Sequence, residues 1–136
     1  MSIFRRLFVV AMAILAPAMC TADTTADIER GKAIFNTMCG VCHSVQKTGG
    51  PAEGPNLFGV VGREAASQPD FTKYSAALKD SNLTWDRKTL DKFLQRPMAM
   101  VPGTFMPMLI PDDETRADVV AYLATLKKQE VSESTR

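Results

Sequence analysis

The sequence predicts an all-α fold of three to five helices joined by long loops, and three observations predict it. Apolar residues recur at near-helical spacing in separate stretches toward both ends of the chain. Between them, from Ser44 to Pro69, the breakers Gly49, Gly50, Pro51, Gly54, Pro55, Gly59, Gly62 and Pro69 prevent any regular period from persisting. Where the first helical stretch meets this loop stands Cys39-Gly40-Val41-Cys42-His43. Two thiols three positions apart followed by an imidazole form the pattern for covalent attachment of a c-type haem. A loop of about 25 residues in a small domain needs something large to pack on, and a porphyrin is large enough.

Each thiol of the motif can add across one vinyl group of the porphyrin, which places His43 beneath the ring as an iron ligand. A thioredoxin-like redox pair fits less well, because such a pair sits where a strand feeds a helix, and here a helix precedes and a Gly/Pro-rich loop follows. A zinc site needs four ligands, and beyond this motif the chain offers no other His and only Cys20.

Taken in order, residues 1–22 read as an export signal peptide. Arg5 and Arg6 precede the apolar run Leu7 to Ala16, and small residues lead to a cut after Ala22. The run is too short to span a bilayer. The alternatives are an uncleaved anchor or a lipidated Cys20, against which Met19 is a poor match for the small residue such processing prefers. Cleavage takes the 16 Lys and Arg to 14 against 15 Asp and Glu, a formal charge of −1, so the mature chain has no basic footprint for nucleic acid. The 114 residues that remain divide into a domain over 23–128 and a polar tail over 129–136. With few large apolar side chains, that domain needs the porphyrin as part of its core, and the apoprotein is expected to be largely unfolded.

Ile28, Ile34, Phe35 and Met38 mark a first helix over Ala26 to Met38, with Thr25 or Asp27 to cap it. Gly31 lies on the Phe35 face; it is either a close crossing point for another helix or a tolerated glycine. In the loop, Gly54-Pro55-Asn56-Leu57 either forms a plain turn or sets the Pro55 carbonyl to accept a hydrogen bond from His43. Arg63 has no obvious local partner; it is a surface arginine or a contact to a haem propionate. Tyr74 to Lys79 allows a short helix. Thr84 is then expected to cap a stretch whose Trp85, Leu90, Phe93 and Leu94 share a face until Pro97 ends it. Trp85 fills the core or donates its indole N–H to a propionate. Pro111 leads into Asp112, Asp113 and Glu114 at the start of a closing helix with Val119, Val120, Leu123 and Leu126 on one face and Lys127 and Lys128 at its end. That helix is the natural partner of the Gly31 and Phe35 face.

The iron's second ligand is sought by elimination. His43 is the sole histidine, and Cys39 and Cys42 are consumed by the thioethers, which leaves the methionines. Met38 adjoins the motif on the His43 side. Of Met98, Met100, Met106 and Met108, Met106 stands out in a helix-free run between Pro102-Gly103-Thr104 and Pro107, where a stiff loop can hold sulfur over a metal.

Gly31, Phe35, the Cys39 to His43 motif, Gly54-Pro55-Asn56-Leu57, Gly62-Arg63, Trp85, Pro102-Gly103-Thr104-Phe105-Met106 and Ala121-Tyr122-Leu123 occur in the order found in class I cytochromes c. The chain resembles the mitochondrial and bacterial c2/c550 type over nearly its whole mature length. The resemblance implies the small cytochrome c fold around one haem c, with His43 and Met106 as axial ligands and Pro55 as the imidazole's partner. It further implies that Arg63, Tyr74 and Trp85 lie near the propionates and Thr104 in the ligand loop. Two departures stand out. Ala33, Met38, Met98 and Phe105 occupy positions where the mitochondrial type carries lysines around the haem edge. Phe93 and Leu78 replace a tyrosine and an asparagine of the family's haem pocket.

The function expected is that of a soluble periplasmic one-electron carrier, not an enzyme. It would be a monomer with no transmembrane segment once mature, meeting membrane or periplasmic redox proteins of a respiratory or related chain near Met38, Met98 and Phe105. The rivals are a haem enzyme or gas sensor in which Met106 is displaceable, and a tightly bound electron-transfer subunit of a larger oxidoreductase.

Overall fold

The computed structural model describes residues 23–48, 50 and 52–126. The expected export signal with Cys20, Lys127 and Lys128 and the tail over 129–136 lie outside them. Five helices and one π-helical turn are the regular elements among the described residues, and no strand is among them.

Helix α1 spans Thr25–Ile34. Its cap is Thr24 rather than Thr25 or Asp27. The Thr24 hydroxyl accepts from the Asp27 N–H while the Asp27 carboxylate accepts from the Thr24 N–H, so the pair satisfies two free donors at once. These bonds hold the Asp27 carboxyl below the usual carboxylate range. The helix then widens into a π-helical turn over Phe35–Cys39, closed by the Gly40 N–H on the Phe35 carbonyl at 2.7 Å. Such turns insert one extra residue into a helix and re-aim the side chains beyond it. Phe35 faces the core and Cys39 is buried at the start of the loop.

Helix α5 (Asp113–Thr125) crosses α1 at Gly31. A Cβ at Gly31 would lie 1.9 Å from the Asp118 carbonyl oxygen and 3.0 Å from the Tyr122 Cβ, so glycine is what lets the two backbones approach. Phe35 packs on Tyr122 with ring centroids 5.6 Å apart, and Arg30 binds the buried Asp118 carboxylate through Nε and Nη2 at 2.9 and 3.0 Å.

The described residues from Ser44 to Pro69 are loop, as the segment's glycines and prolines predict. It is held by the Gly54 N–H on Cys42 O and the Leu57 N–H on Ser44 O, both at 2.8 Å. Where it meets the next segment an isolated antiparallel bridge joins Glu64 to Thr84. Helix α2 is one turn, Ala76–Lys79, capped by Ser75. Helix α3 covers Arg87–Gln95. Thr84 does not cap it. The bridge, closed by the Ala65 N–H on Leu83 O and the Trp85 N–H on Arg63 O, holds residues 83–85 outside the helix, and the Asp86 carboxylate accepts from the Thr89 N–H at 2.6 Å instead. Trp85 therefore precedes the helix, yet it is buried with Leu90, Phe93 and Leu94 as the spacing predicts. Pro97 ends α3 and opens helix α4, Pro97–Met100, where a missing N–H costs nothing. Asp112 caps α5.

Candidate haem site

The site is built where the π-turn delivers its last residue. Cys39 is buried and Cys42 exposed, and no disulfide joins them. Burial, reinforced by the neighbouring Cys42, pushes the Cys39 thiol up. The Cys42 and His43 N–H groups both bond the Cys39 carbonyl, at 3.0 and 2.8 Å, so the three residues form one tight turn.

His43 Nδ1 lies 2.7 Å from the Pro55 carbonyl oxygen. A carbonyl only accepts, so Nδ1 carries the proton and Nε2 keeps its lone pair for a metal. Burial lowers the His43 pKa below its ordinary value, opposed by the Pro55 bond, and so favours the neutral ring that ligates. Gly54 completes the fit: a Cβ there would meet the ring's Cε1 at 2.5 Å and Nδ1 at 2.8 Å. The imidazole is thus held by a carbonyl on one side and a bare backbone on another.

Arg63 does have local partners. Nη1 donates to Phe58 O and Gln68 Oε1 at 3.1 and 2.8 Å, and Nη2 donates to Asn56 O at 2.8 Å. The guanidinium straps the residues just after Pro55. Burial lowers its pKa, which nearby Tyr74 counters. Tyr74 hydrogen-bonds the backbone of Gln68, and the Trp85 N–H donates to Arg63 O at 2.8 Å. Arg63, Tyr74 and Trp85 thus come together through Gln68 and one backbone bond. Asn56 is buried, its amide donating to Gln46 O and its side-chain oxygen accepting from the Phe58 N–H.

Met106 stands in the helix-free run between α4 and α5 and is half-buried against the core. Val101, Pro102, Gly103 and Thr104 make a turn in which the Thr104 N–H bonds Val101 O at 3.0 Å; Gly103 at φ 94° supplies the left-handed third position. Thr104 is buried, with its hydroxyl 3.4 Å from the Met106 N–H. Leu57, Phe58, Leu78, Leu83, Met100 and Met106 all pack against the core while remaining only half-covered. Half-covered apolar side chains along the core fit a large apolar group, and the unbridged thiol pair with a preset imidazole fits its attachment. Among the described residues no group of three or more His, Cys, Asp or Glu is placed to hold a metal ion.

Of the expected docking residues, Met98 and Phe105 are 56% and 75% exposed, while Met38 is half-buried. Sequence reasoning missed Val41, 70% exposed between the two motif cysteines, and Leu109, exposed in the run that follows Met106. It also gave no role to Gly54 or to the buried Arg116. Nothing in a lone glycine or arginine reports the close approach that defines it.

The cytochrome c family model matches residues 28–127. The chain is 45% identical over 106 residues to a cytochrome c2 of Rhodomicrobium vannielii, covering 77% of this chain and 83% of that one. It is 42% identical over 102 residues to a cytochrome c2 of Rhodopila globiformis, covering 74% and 94%. Among solved structures, cytochrome cH from Methylobacterium extorquens superposes with a TM-score of 0.65 at 41% identity, over 73% of this chain and 98% of that one. No helix of the described residues is long and apolar enough to cross a membrane. Identity above 40% across three quarters of the chain leaves one conclusion: this protein belongs to the cytochrome c family, a haem-based electron carrier whose single haem c is held covalently through the pair Cys39 and Cys42.

Proposed function

We propose that this protein is an exported, periplasmic one-electron carrier with His43 and Met106 as axial ligands, passing electrons between membrane or periplasmic redox proteins of a respiratory or related chain. The observation that carries the reading is the 2.7 Å contact of His43 Nδ1 with Pro55 O, which fixes tautomer and ring orientation for a metal at Nε2. The haem iron supplies the one-electron couple when bound. Pro55 and Gly54 hold the imidazole, and the turn over residues 101–104 with Pro107 stiffens the run that carries Met106. A site closed by two protein ligands gives substrate no position, and a stiff ligand set limits rearrangement between oxidation states.

An absorption spectrum of the exported protein in both redox states tests this. A low-spin ferric spectrum with the far-red sulfur-to-iron band, and a ferrous form that resists carbon monoxide, are expected. High-spin iron that binds carbon monoxide readily would instead establish the enzyme or sensor reading.

The docking surface proposed is the weakly charged patch of Met38, Val41, Met98 and Phe105. Apolar contact replaces long-range steering there, so electron transfer to the native partner is expected to change by less than about threefold as ionic strength rises to physiological values. A steep fall with salt in stopped-flow rates would show opposite-charge steering and remove the patch. The same exposure favours a second reading, a subunit held by a larger oxidoreductase, and sizing the protein from native extract separates the two.

Phe93, buried 4.9 Å from the Trp85 ring centroid, brings no hydroxyl to the pocket. Phe93→Tyr is expected to lower the reduction potential by about 40 mV, one net hydrogen bond of about 1 kcal/mol expressed for a one-electron couple. An unchanged or raised potential in protein-film voltammetry would show that pocket dryness does not set it.

A further inference from the structure

Arg116 lies in the first half of α5 and is 3% exposed. Nη1 donates to the carbonyls of Ile110 and Pro111 at 2.9 and 2.8 Å, Nε donates to Asp91 of α3 at 2.9 Å, and Nη2 donates to Asp113. Burying a guanidinium costs several kcal/mol in lost hydration, and an apolar residue in such a place is often as stable or more so. Simple core filling therefore does not account for it.

What the guanidinium grips is informative. Ile110 and Pro111 end the run that carries Met106, and the Ile110 N–H is itself bonded to Leu94 O of α3 at 2.8 Å. At its other end the run is fixed by the turn over residues 101–104; between the two fixed points Met106 packs on the core, and the one hydrogen bond described for it is the long one from its N–H to the Thr104 hydroxyl. Both carboxylate partners are solvent-accessible, whereas the Ile110 carbonyl contact is buried. The buried part of the arrangement is the grip on the loop, with the ion pairs at its rim.

We propose that Arg116 is a positioning residue: it pins the C-terminal end of the Met106 loop to α3 and α5 at once, and so keeps the thioether in place while the surrounding helices stay folded. The inference rests on Met106 being an axial ligand. Loosening the pin frees the sulfur without unfolding α5, because the Asp112 carboxylate caps through Thr115, the Arg116 bond to Asp112 O comes from its backbone N–H and survives substitution, and the Gly31 crossing does not involve the guanidinium.

The test is Arg116→Lys in the ferric, haem-loaded protein. An ammonium keeps the charge but lacks the planar fork that reaches two carbonyls and Asp91 together. In a urea titration the far-red sulfur-to-iron band and the far-UV helix signal are expected to fall together in the parent. In the variant the band is expected to go first, the equilibrium constant for its loss rising about tenfold, the effect of one charge-assisted hydrogen bond. Ferrous carbon monoxide binding rises in parallel. If the two signals still fall together, merely at lower urea, Arg116 is a stability residue only and the proposal is overturned. Asp91→Asn keeps both carbonyl contacts and serves if the lysine variant does not accumulate. A smaller separation of the two signals supports the pin, and none overturns it. A parent lacking the far-red band would overturn the Met106 ligation on which the pin depends, whereas a parent with the band and variants without separation overturns the pin alone.

Discussion

Gly31→Ala is expected to destabilise the haem-loaded protein by about 3 kcal/mol or more, the upper range for overpacking a tight contact. Local preference points the other way, since alanine in mid-helix is favoured over glycine by about 1 kcal/mol. The tertiary contact decides the sign. The new methyl would stand 1.9 Å from the Asp118 carbonyl oxygen and 2.5 Å from its carbon, and these are backbone atoms of α5 that no rotamer change can move aside. Only separation of α1 from α5 relieves the clash, which also disturbs the Phe35 and Tyr122 contact and the Arg30 pair with Asp118. Urea unfolding followed by far-UV circular dichroism measures the change. A variant as stable as the parent would mean that α1 and α5 do not cross backbone to backbone at Gly31.

Met106→Ala is expected to have the largest effect on function. Ferric spectra lose the far-red band, ferrous protein binds carbon monoxide, and the reduction potential falls by on the order of 0.1 V, within the roughly 0.8 V that axial ligands span. Met98, Met100 and Met108 are the built-in controls. Met98 and Met100 lie in α4 and Met108 in the same run as Met106; Met98 is largely exposed, so Met98→Ala should leave band and potential in place. A Met106→Ala protein that keeps its band would transfer the ligand role to another of these methionines.

Much of the site was legible in the chain because its chemistry is local. The attachment motif is five consecutive residues, and the Pro55 contact lies only twelve positions from His43. Helices α1, α3 and α5 were legible from apolar spacing, and Gly31 announced a crossing because glycine in mid-helix needs a reason. The helix starts were read less well. Thr24 caps α1 and Asp86 caps α3, each within two residues of the residue expected, because several adjacent side chains can cap and the backbone chooses among them. Thr84 lost that role to a bridge with Glu64, a partner twenty positions away.

The sequence by itself determined that this chain takes a haem, through which pair of thiols, and roughly where its helices lie, since each is written in neighbouring residues. Only the tertiary structure decided how close α1 comes to α5, that Gly54 makes room for the imidazole, and that Arg63 and Arg116 grip loop carbonyls. Those facts depend on backbone separations and hydrogen-bond partners set by packing, and a residue's type does not name the carbonyl it will meet.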